Sequence, residues 1–357
     1  MKICLVCYKY GVPLDDPCCY PLGFMYVSSV LKKQGHKVKV LNYNLWDYDF
    51  IEEIKDQDVV GFTGFEEFAK LIVRDSKICK ELRIHTVLGG ALATFLPKTM
   101  GKYVDQLCIG EFEETSNIDQ IPWPDYEGFG IEEYHKRHET CFMGVLTSRG
   151  CPFNCSFCSQ TCKFRLRSLG NVFGEITYYK LKHEIKTLIF YDNTFNFSKS
   201  RFMKICNWLK EKGLNWSASI RCDIFNEEMV IAAKESGCTY FVVGVESFNQ
   251  EKLDKMNKRI KVKQVYKTLD LLEEYEIGYH GNILLGFEDE SYEDIIREIN
   301  LLPSKYNVFP TLVQPFIGTG NGKNRLLTKA QEEFLSKEFE SYINKKEMYQ
   351  YPSLEVA

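Results

Sequence analysis

The chain has 357 residues, 45% of them hydrophobic, enough for two domains that each bury a core. Its formal charge of −4 gives no general attraction to phosphate backbones, which sets nucleic acid aside as the main partner. No apolar run is long enough to span a bilayer, and Met1-Lys2-Ile3-Cys4-Leu5-Val6 passes into polar turn residues without the apolar region and cleavage site of a signal peptide. Fourteen cysteines without an export signal indicate a reducing cytoplasm rather than a disulfide framework. The basic runs Lys163 to Arg167 and Lys255 to Lys263 are short and interrupted by apolar residues, the pattern of solvated faces.

From the N-terminus, Ile3 to Cys7 reads as a strand, Gly23 to Gln34 as a helix, Lys37 to Leu41 and Val59 to Thr63 as strands, Phe68 to Leu82 as a helix and Thr86 to Leu88 as a strand. Strands separated by helices imply right-handed crossovers and a parallel sheet. Gly89-Gly90 and Gly110-Glu111 supply turns at the ends of later strands. Residues 1–120 are therefore expected to form a small doubly wound, Rossmann-like domain. Glycines at strand ends let backbone approach a bulky ligand, and ligands of open parallel sheets lie beyond the carboxyl ends of the strands. Residues 121–142, with Pro122-Trp123-Pro124 and no sustained periodicity, read as a linker.

A second βα series opens with a strand over Met143 to Thr147. Directly after it comes Ser148-Arg149-Gly150-Cys151-Pro152-Phe153-Asn154-Cys155-Ser156-Phe157-Cys158. The spacing of Cys151, Cys155 and Cys158 suits three irons of a [4Fe-4S] cube and leaves the fourth iron open to a small molecule. A structural zinc site is the alternative, because Cys162 stands where it can supply a fourth thiolate. The position of the loop favours the cluster: it follows an apolar strand and precedes a helical pattern from Asn171, where an α/β protein places an active-site loop.

Helices are expected over Asn171 to Lys182, Ser200 to Lys212, Asn226 to Glu235, Lys263 to Tyr275 and Tyr292 to Leu302. The intervening strands are Thr187 to Tyr191, Trp216 to Ile220, Tyr240 to Val245, His280 to Leu285 and Val308 to Val313. Phe202, Ile205, Cys206 and Leu209 make one apolar stripe, and Asn226 and Ser291 are placed as N-caps. Six such strands give an open partial (β/α)6 barrel over residues 143–318, with active residues at the carboxyl ends of strands. Residues 319–357 read as a short tail with a charged helix after Thr328.

The CxxxCxxC loop, with Phe157 before its last cysteine, resembles the signature of the radical S-adenosylmethionine superfamily. Tyr20-Pro21-Leu22-Gly23, Val60-Gly61-Phe62-Thr63, Leu88-Gly89-Gly90-Ala91 and the run Cys108 to Thr115 resemble the cobalamin-binding domain of one branch of it. The resemblance implies a [4Fe-4S] cluster on Cys151, Cys155 and Cys158, with S-adenosylmethionine chelating the open iron near Phe157. It also implies an electron donor such as flavodoxin or ferredoxin. Polar residues after the strands are candidates to hold S-adenosylmethionine: Asp192 and Asn193 for the ammonium and carboxylate, Arg221 for the carboxylate, and Glu246 for a ribose hydroxyl or the ammonium, with Ser219 and Ser247 beside them. Around cobalamin the matching residues are Leu22, Gly23, Thr63, Gly89, Gly90, Gly110 and Glu111. The Asp-x-His-x-x-Gly motif that ligates cobalt is missing, and only His36 and His85 occur in this segment, so cobalamin is expected without a protein histidine. Cys18-Cys19 is a weaker candidate for the cofactor face, and a domain of this fold that binds no cobalamin is the alternative.

These readings imply an enzyme that generates a 5′-deoxyadenosyl radical to methylate an unactivated centre. Open alternatives are a cobalamin-dependent rearrangement or cyclisation, a methylthiotransferase with a second cluster built from Cys4, Cys7, Cys79 and Cys108, and a non-enzymatic cobalamin- or zinc-binding module.

Overall fold

The run Ile3-Cys4-Leu5-Val6-Cys7 is apolar on both faces, as a central strand of a parallel sheet must be, and in the computed structural model it forms β1 (Lys2–Cys7), buried after its first residue. The structure describes residues 1–9, 20–113, 115–137, 140–159, 162–313, 327 and 331–337. Packing divides the chain into two units, Met1–Gly144 with Thr161–Glu184, and Val145–Gln160 with Ile185–Ala357.

In the first unit, β1 is joined by β2 (Lys37–Asn42), β3 (Val59–Thr63), β4 (His85–Gly89) and β5 (Gln106–Leu107) in the order β2-β1-β3-β4-β5, with every neighbouring pair parallel. Strand order reverses between β1 and β3, which opens a crevice beyond their carboxyl ends. β2 lies at the edge and exposes Lys37 and Lys39, charges that discourage further strand addition. Helix α1 (Leu22–Lys33) buries Leu22, Phe24, Met25, Tyr26 and Leu31, and Gly35 at φ 85° turns the chain into β2. Helices α2 (Ala69–Glu81) and α3 (Gly90–Phe95) follow β3 and β4.

The linker packs as part of this unit. Asp125 accepts from Ser28 at 2.5 Å and pairs with Lys32 at 2.5 Å, while Tyr179 on α4 (Leu169–His183) donates to the Pro124 carbonyl at 2.6 Å. Arg167, read as part of a solvated basic run, is instead buried against Glu175 on α4. The residues between Lys163 and Arg167 therefore do not share one wet face.

A six-stranded sheet runs in the order β11-β10-β9-β8-β7-β6, where β6 is Phe142–Val145, β7 Thr187–Phe190, β8 Asn215–Arg221, β9 Cys238–Glu246, β10 Gly278–Leu285 and β11 Val308–Leu312. The pairs from β7 to β11 are parallel. Trp216 on β8 is fully buried among Phe190, Phe195, Phe202 and Phe241, and its indole N–H donates to the Ser236 carbonyl at 3.1 Å. That aromatic cluster anchors the second unit; truncating such a residue typically costs about 3–5 kcal/mol.

The helices between strands are α5 (Lys199–Lys210), α6 (Glu227–Glu235), α7 (Gln250–Lys255), α8 (Val262–Glu274) and α9 (Tyr292–Asn300). The expected caps are present: Asn226 accepts from the Met229 N–H, and Ser291 shares a capping box with Asp294. Helix α7 is absent from the sequence reading, because its six residues, Gln-Glu-Lys-Leu-Asp-Lys, carry a single apolar position. No described helix is long and apolar enough to cross a membrane. Cys18-Cys19, Thr328 and most of 319–357 lie outside the described residues.

Candidate functional site

The cysteine loop leaves β6 and is braced at its root. Asp192, just beyond β7, accepts from the Thr147 N–H at 2.9 Å, from the Thr147 hydroxyl at 2.8 Å and from the Ser148 hydroxyl. Burial pushes the Asp192 carboxyl above the usual range, against the pull of those donors. Its oxygens are thus engaged with the loop. Asn193 is exposed, and the next residue, Thr194, brings its hydroxyl to 3.3 Å from Cys151 Sγ.

Arg221 grips the middle of the loop. Its guanidinium stacks 3.7 Å from the centre of the Phe153 ring, reaches Cys155 Sγ at 3.7 Å, pairs with Asp223 at 3.0 and 3.2 Å, and donates to the Lys258 carbonyl at 2.7 Å. Asn196 fixes the Arg221 backbone through both its N–H and its carbonyl. Ser219, two residues before, is half-buried on β8. Arg221 therefore has partners within the protein in Phe153, Cys155, Asp223 and the Lys258 carbonyl.

The residues after α7 meet the same loop. The Ser156 N–H donates to the Met256 carbonyl at 2.9 Å, and the Asn257 amide donates to the Asn154 carbonyl at 2.6 Å. Lys258 turns inward, only 5% exposed, and its ammonium lies 2.6 Å from Glu246 and 5.7 Å from the centre of the Phe157 ring. The reading of Lys255 to Lys263 as a solvated face fails here: Lys255 is exposed and pairs with Asp289, but Lys258 is not. Glu246 ends β9 at φ 65°, where the register with β10 shifts, and Asn257 and Arg259 also have positive φ, at 50° and 58°. Gly244 makes room for the pair, since a Cβ there would come within 2.8 Å of the Lys258 ammonium.

Ser247 is buried and donates to Glu298 at 2.9 Å; Glu298 and Glu290 both pair with Lys252. Glu290 in turn accepts from the Gly286 N–H at 2.6 Å, so this network shapes the turn after β10. A cleft of about 700 Å³ lies beside it, lined by Ser156, Lys252, Met256 and Phe287 among others. Neither the cysteines nor Glu246 line it.

The donor set of the loop fits an iron–sulfur cluster. The Cys158 thiol is pushed up by desolvation and then by the like charges of Cys155 and Cys151. Among the described residues no three His, Cys, Asp or Glu side chains already converge as a metal site. Core cysteines differ: burial pushes Cys4, Cys79, Cys206 and Cys222 up to about 12, the behaviour of inert thiols. Cys4, Cys7 and Cys79 are thus core residues, poor ligands for a second cluster.

At the carboxyl edge of the first sheet, two glycine turns are stitched together by Thr94, which donates to the Gly90 carbonyl at 2.8 Å and accepts from the Gly110 N–H at 3.0 Å. Gly90 sits at φ 75°, and a Cβ on it would fall 2.5 Å from the Thr63 hydroxyl; Gly110, at φ 80°, faces open space. Gly89 ends β4, and Leu22 and Gly23 begin α1. Glu111 is paired with Arg165. Phe65, Ile109 and Phe112, in the loops after β3 and β5, are exposed, at 52%, 60% and 37%. Bare backbone with an apolar rim suits a bulky cofactor such as cobalamin. His36 and His85 lie at the amino ends of β2 and β4, on the opposite edge.

Residues 145–302 match the family model of the radical SAM superfamily, and residues 16–118 that of the B12 binding domain. An uncharacterised methyltransferase of Pyrococcus horikoshii is 29% identical over 84% of this chain and 77% of its own length. A bacteriochlorophyllide d C-12(1)-methyltransferase of Chlorobaculum tepidum is 24% identical over 75% of this chain and 66% of its own. The solved structure of the radical S-adenosylmethionine methyltransferase TsrM from Kitasatospora setae, with cobalamin and a [4Fe-4S] cluster bound, shares the fold with a TM-score of 0.71 at 16% identity, covering 89% of this chain and 77% of that one.

Proposed function

Because the chain belongs to the radical S-adenosylmethionine superfamily, in the branch with an N-terminal B12-binding domain, we propose that Cys151, Cys155 and Cys158 carry its [4Fe-4S] cluster and that the enzyme methylates an unactivated carbon or phosphorus centre. The cofactors supply the hard chemistry when bound, the cluster a low-potential electron for breaking a carbon–sulfur bond of S-adenosylmethionine and cobalamin a carrier for the methyl group. The protein's part is placement. Asp192 fixes the root of the cysteine loop, Arg221 its middle, and Met256 and Asn257 its crown, so the three thiols are offered from a braced loop. Glu246, buried and paired with Lys258, is proposed to accept from the ammonium or a ribose hydroxyl of S-adenosylmethionine. Cobalamin is proposed to lie over the Thr63, Gly89, Gly90 and Gly110 edge, where glycine backbone permits close approach.

The observation that carries this reading is the three-cysteine loop held by buried side chains from the strand ends of its own sheet. It is tested by anaerobic reconstitution with iron, sulfide, cobalamin and methyl-labelled S-adenosylmethionine. The expected result is cobalamin uptake with release of 5′-deoxyadenosine and S-adenosylhomocysteine. Uptake of one zinc without sulfide would overturn it, and 5′-deoxyadenosine release without cobalamin uptake would remove the methylation half. The electron donor is proposed to be a small low-potential protein of the flavodoxin or ferredoxin kind, tested by whether either replaces a chemical reductant.

A further inference from the structure

Resting on the reading that the enzyme methylates a substrate held at the second sheet, we propose that one face of that sheet binds the substrate through an uncharged, planar group with an amide-type edge: a carboxamide, a lactam or a neutral heterocycle. The residues that carry it are Ser217, Ser219, Tyr240, His280, Asn282 and Phe309.

Strands of a parallel sheet covered on both faces read as near-continuous apolar runs. Here buried and half-buried residues alternate along β8, β9 and β10 instead. The covered face is marked by Trp216 and Phe241, which pack together while Trp216 meets Phe202 of α5. Side chains alternate between faces along a strand, and residues paired in parallel register share one. The pairs Ser217 with Tyr240, Ser219 with Val242, Val242 with His280 and Asn282 with Phe309 therefore put all six named residues on the opposite face.

That face is polar and its hydrogen bonds are not filled. Ser217, Ser219 and Asn282 are half-buried, and their side chains make no hydrogen bond among the described residues. Tyr240 leans across β10, where a Cβ on Gly278 would come within 2.8 Å of its ring, and its hydroxyl meets His280 Nδ1 at 3.0 Å. His280 stacks in turn on Phe309, with 5.8 Å between ring centres. An occupant that displaces water from these groups has to return the hydrogen bonds water made, because leaving them unmade is costly.

Charge narrows the class further. None of the six is Asp, Glu, Lys or Arg, and burial pushes the Tyr240 hydroxyl up to about 12, so it stays neutral. An ionised group seated among them would be desolvated without a fixed counter-ion. Asn282 offers a donor and an acceptor side by side, the complement of an amide edge, and Phe309 stands next to it in register as a flat apolar wall. From β8 to β10 the face spans about 10 Å, room for one ring with a polar substituent at each end. Ser219 lies two residues, about 7 Å, before Arg221, so a ring lying there sits just below the charged strand ends.

The test is a ligand-observed NMR titration of the anaerobically reconstituted protein with two probes of one shape, 4-hydroxybenzamide, which is neutral, and 4-hydroxybenzoate, which is ionised at neutral pH. The amide should bind at least about tenfold more tightly than the carboxylate. N282L should weaken the amide by about five- to tenfold and leave the carboxylate as it was, and S219A should weaken the amide by about threefold. An amide that binds no more tightly than the carboxylate overturns the proposal, and so does a preference that survives N282L intact. If N282L does not hold iron, S219A decides, and unchanged affinity for the amide in that variant overturns the proposal. The parent reading is scored apart, by cobalamin uptake and 5′-deoxyadenosine release in the same preparation; their absence beside an intact amide preference counts against that reading and leaves the site standing.

Discussion

At its carboxyl edge the first sheet presents glycine backbone and a rim of exposed Phe65, Ile109 and Phe112, while the second presents buried charge in Asp192, Arg221, Glu246 and Lys258. Both are parallel sheets that offer their strand ends to ligands, yet the devices differ with what each has to hold. A bulky cofactor would be accommodated by removing side chains and leaving the backbone bare. A small zwitterion beside a thiolate loop requires fixed charges, and these need hydrogen bonds and counter-ions because burial would otherwise be prohibitive.

This contrast can be broken most severely at the thiols. C155A should abolish the cluster, taking iron and sulfide from about four each per chain to near zero, whereas C162A should leave both unchanged; metal and sulfide analysis decides. A chain in which C162A also loses its metal would restore the zinc reading.

Next is D192N. An amide offers one acceptor oxygen where the carboxylate now takes three donors from Thr147 and Ser148, so the substitution should cost about 1–3 kcal/mol in denaturant unfolding. The same residue sets a pH dependence. Because burial raises the Asp192 carboxyl, the folded state holds its proton more tightly than the unfolded chain. That contribution to stability is fully present below the ordinary aspartate value and is lost as pH rises through the shifted one. Wild-type stability measured across this interval should show the slope and D192N should flatten it.

A smaller effect is expected at the first edge. G90A forces a Cβ toward Thr63 at a backbone angle that disfavours side chains, for about 1–2 kcal/mol, and should reduce cobalamin uptake while S-adenosylmethionine affinity stays as it was. Equal loss of both ligands would erase the contrast. The smallest effect is that of salt: cobalamin uptake should be indifferent to ionic strength, and S-adenosylmethionine binding should weaken by less than about threefold between 0.05 and 0.5 M, because buried pairs are screened little. A much steeper salt dependence in titrations would place the Glu246 site in open solvent.

The cysteine motif was legible in the sequence because its three cysteines are close neighbours along the chain, and the strand ends were legible because apolar periodicity stops where the polar residues begin. Direction was not. Asp192 and Arg221 stand at the expected strand ends, but whether a side chain faces a ligand or the loop beneath it depends on partners such as Thr147, Asn196 and Phe153, which are distant in sequence or carry no signal of their own. Lys258 was hidden in a basic run whose other members are ordinary surface residues. Its inward turn follows from the short helix α7 and from the left-handed backbone of Asn257 and Arg259, neither of which leaves an apolar period or a glycine to read.

The central claim is that three thiolates leave one iron of the cluster free for S-adenosylmethionine. Electron paramagnetic resonance of the reduced, reconstituted protein tests it most directly, recorded before and after S-adenosylmethionine is added. The g-values should shift on addition, in the wild type and equally in C162A. A spectrum indifferent to S-adenosylmethionine, from a cluster with all four irons held by side chains, would contradict it.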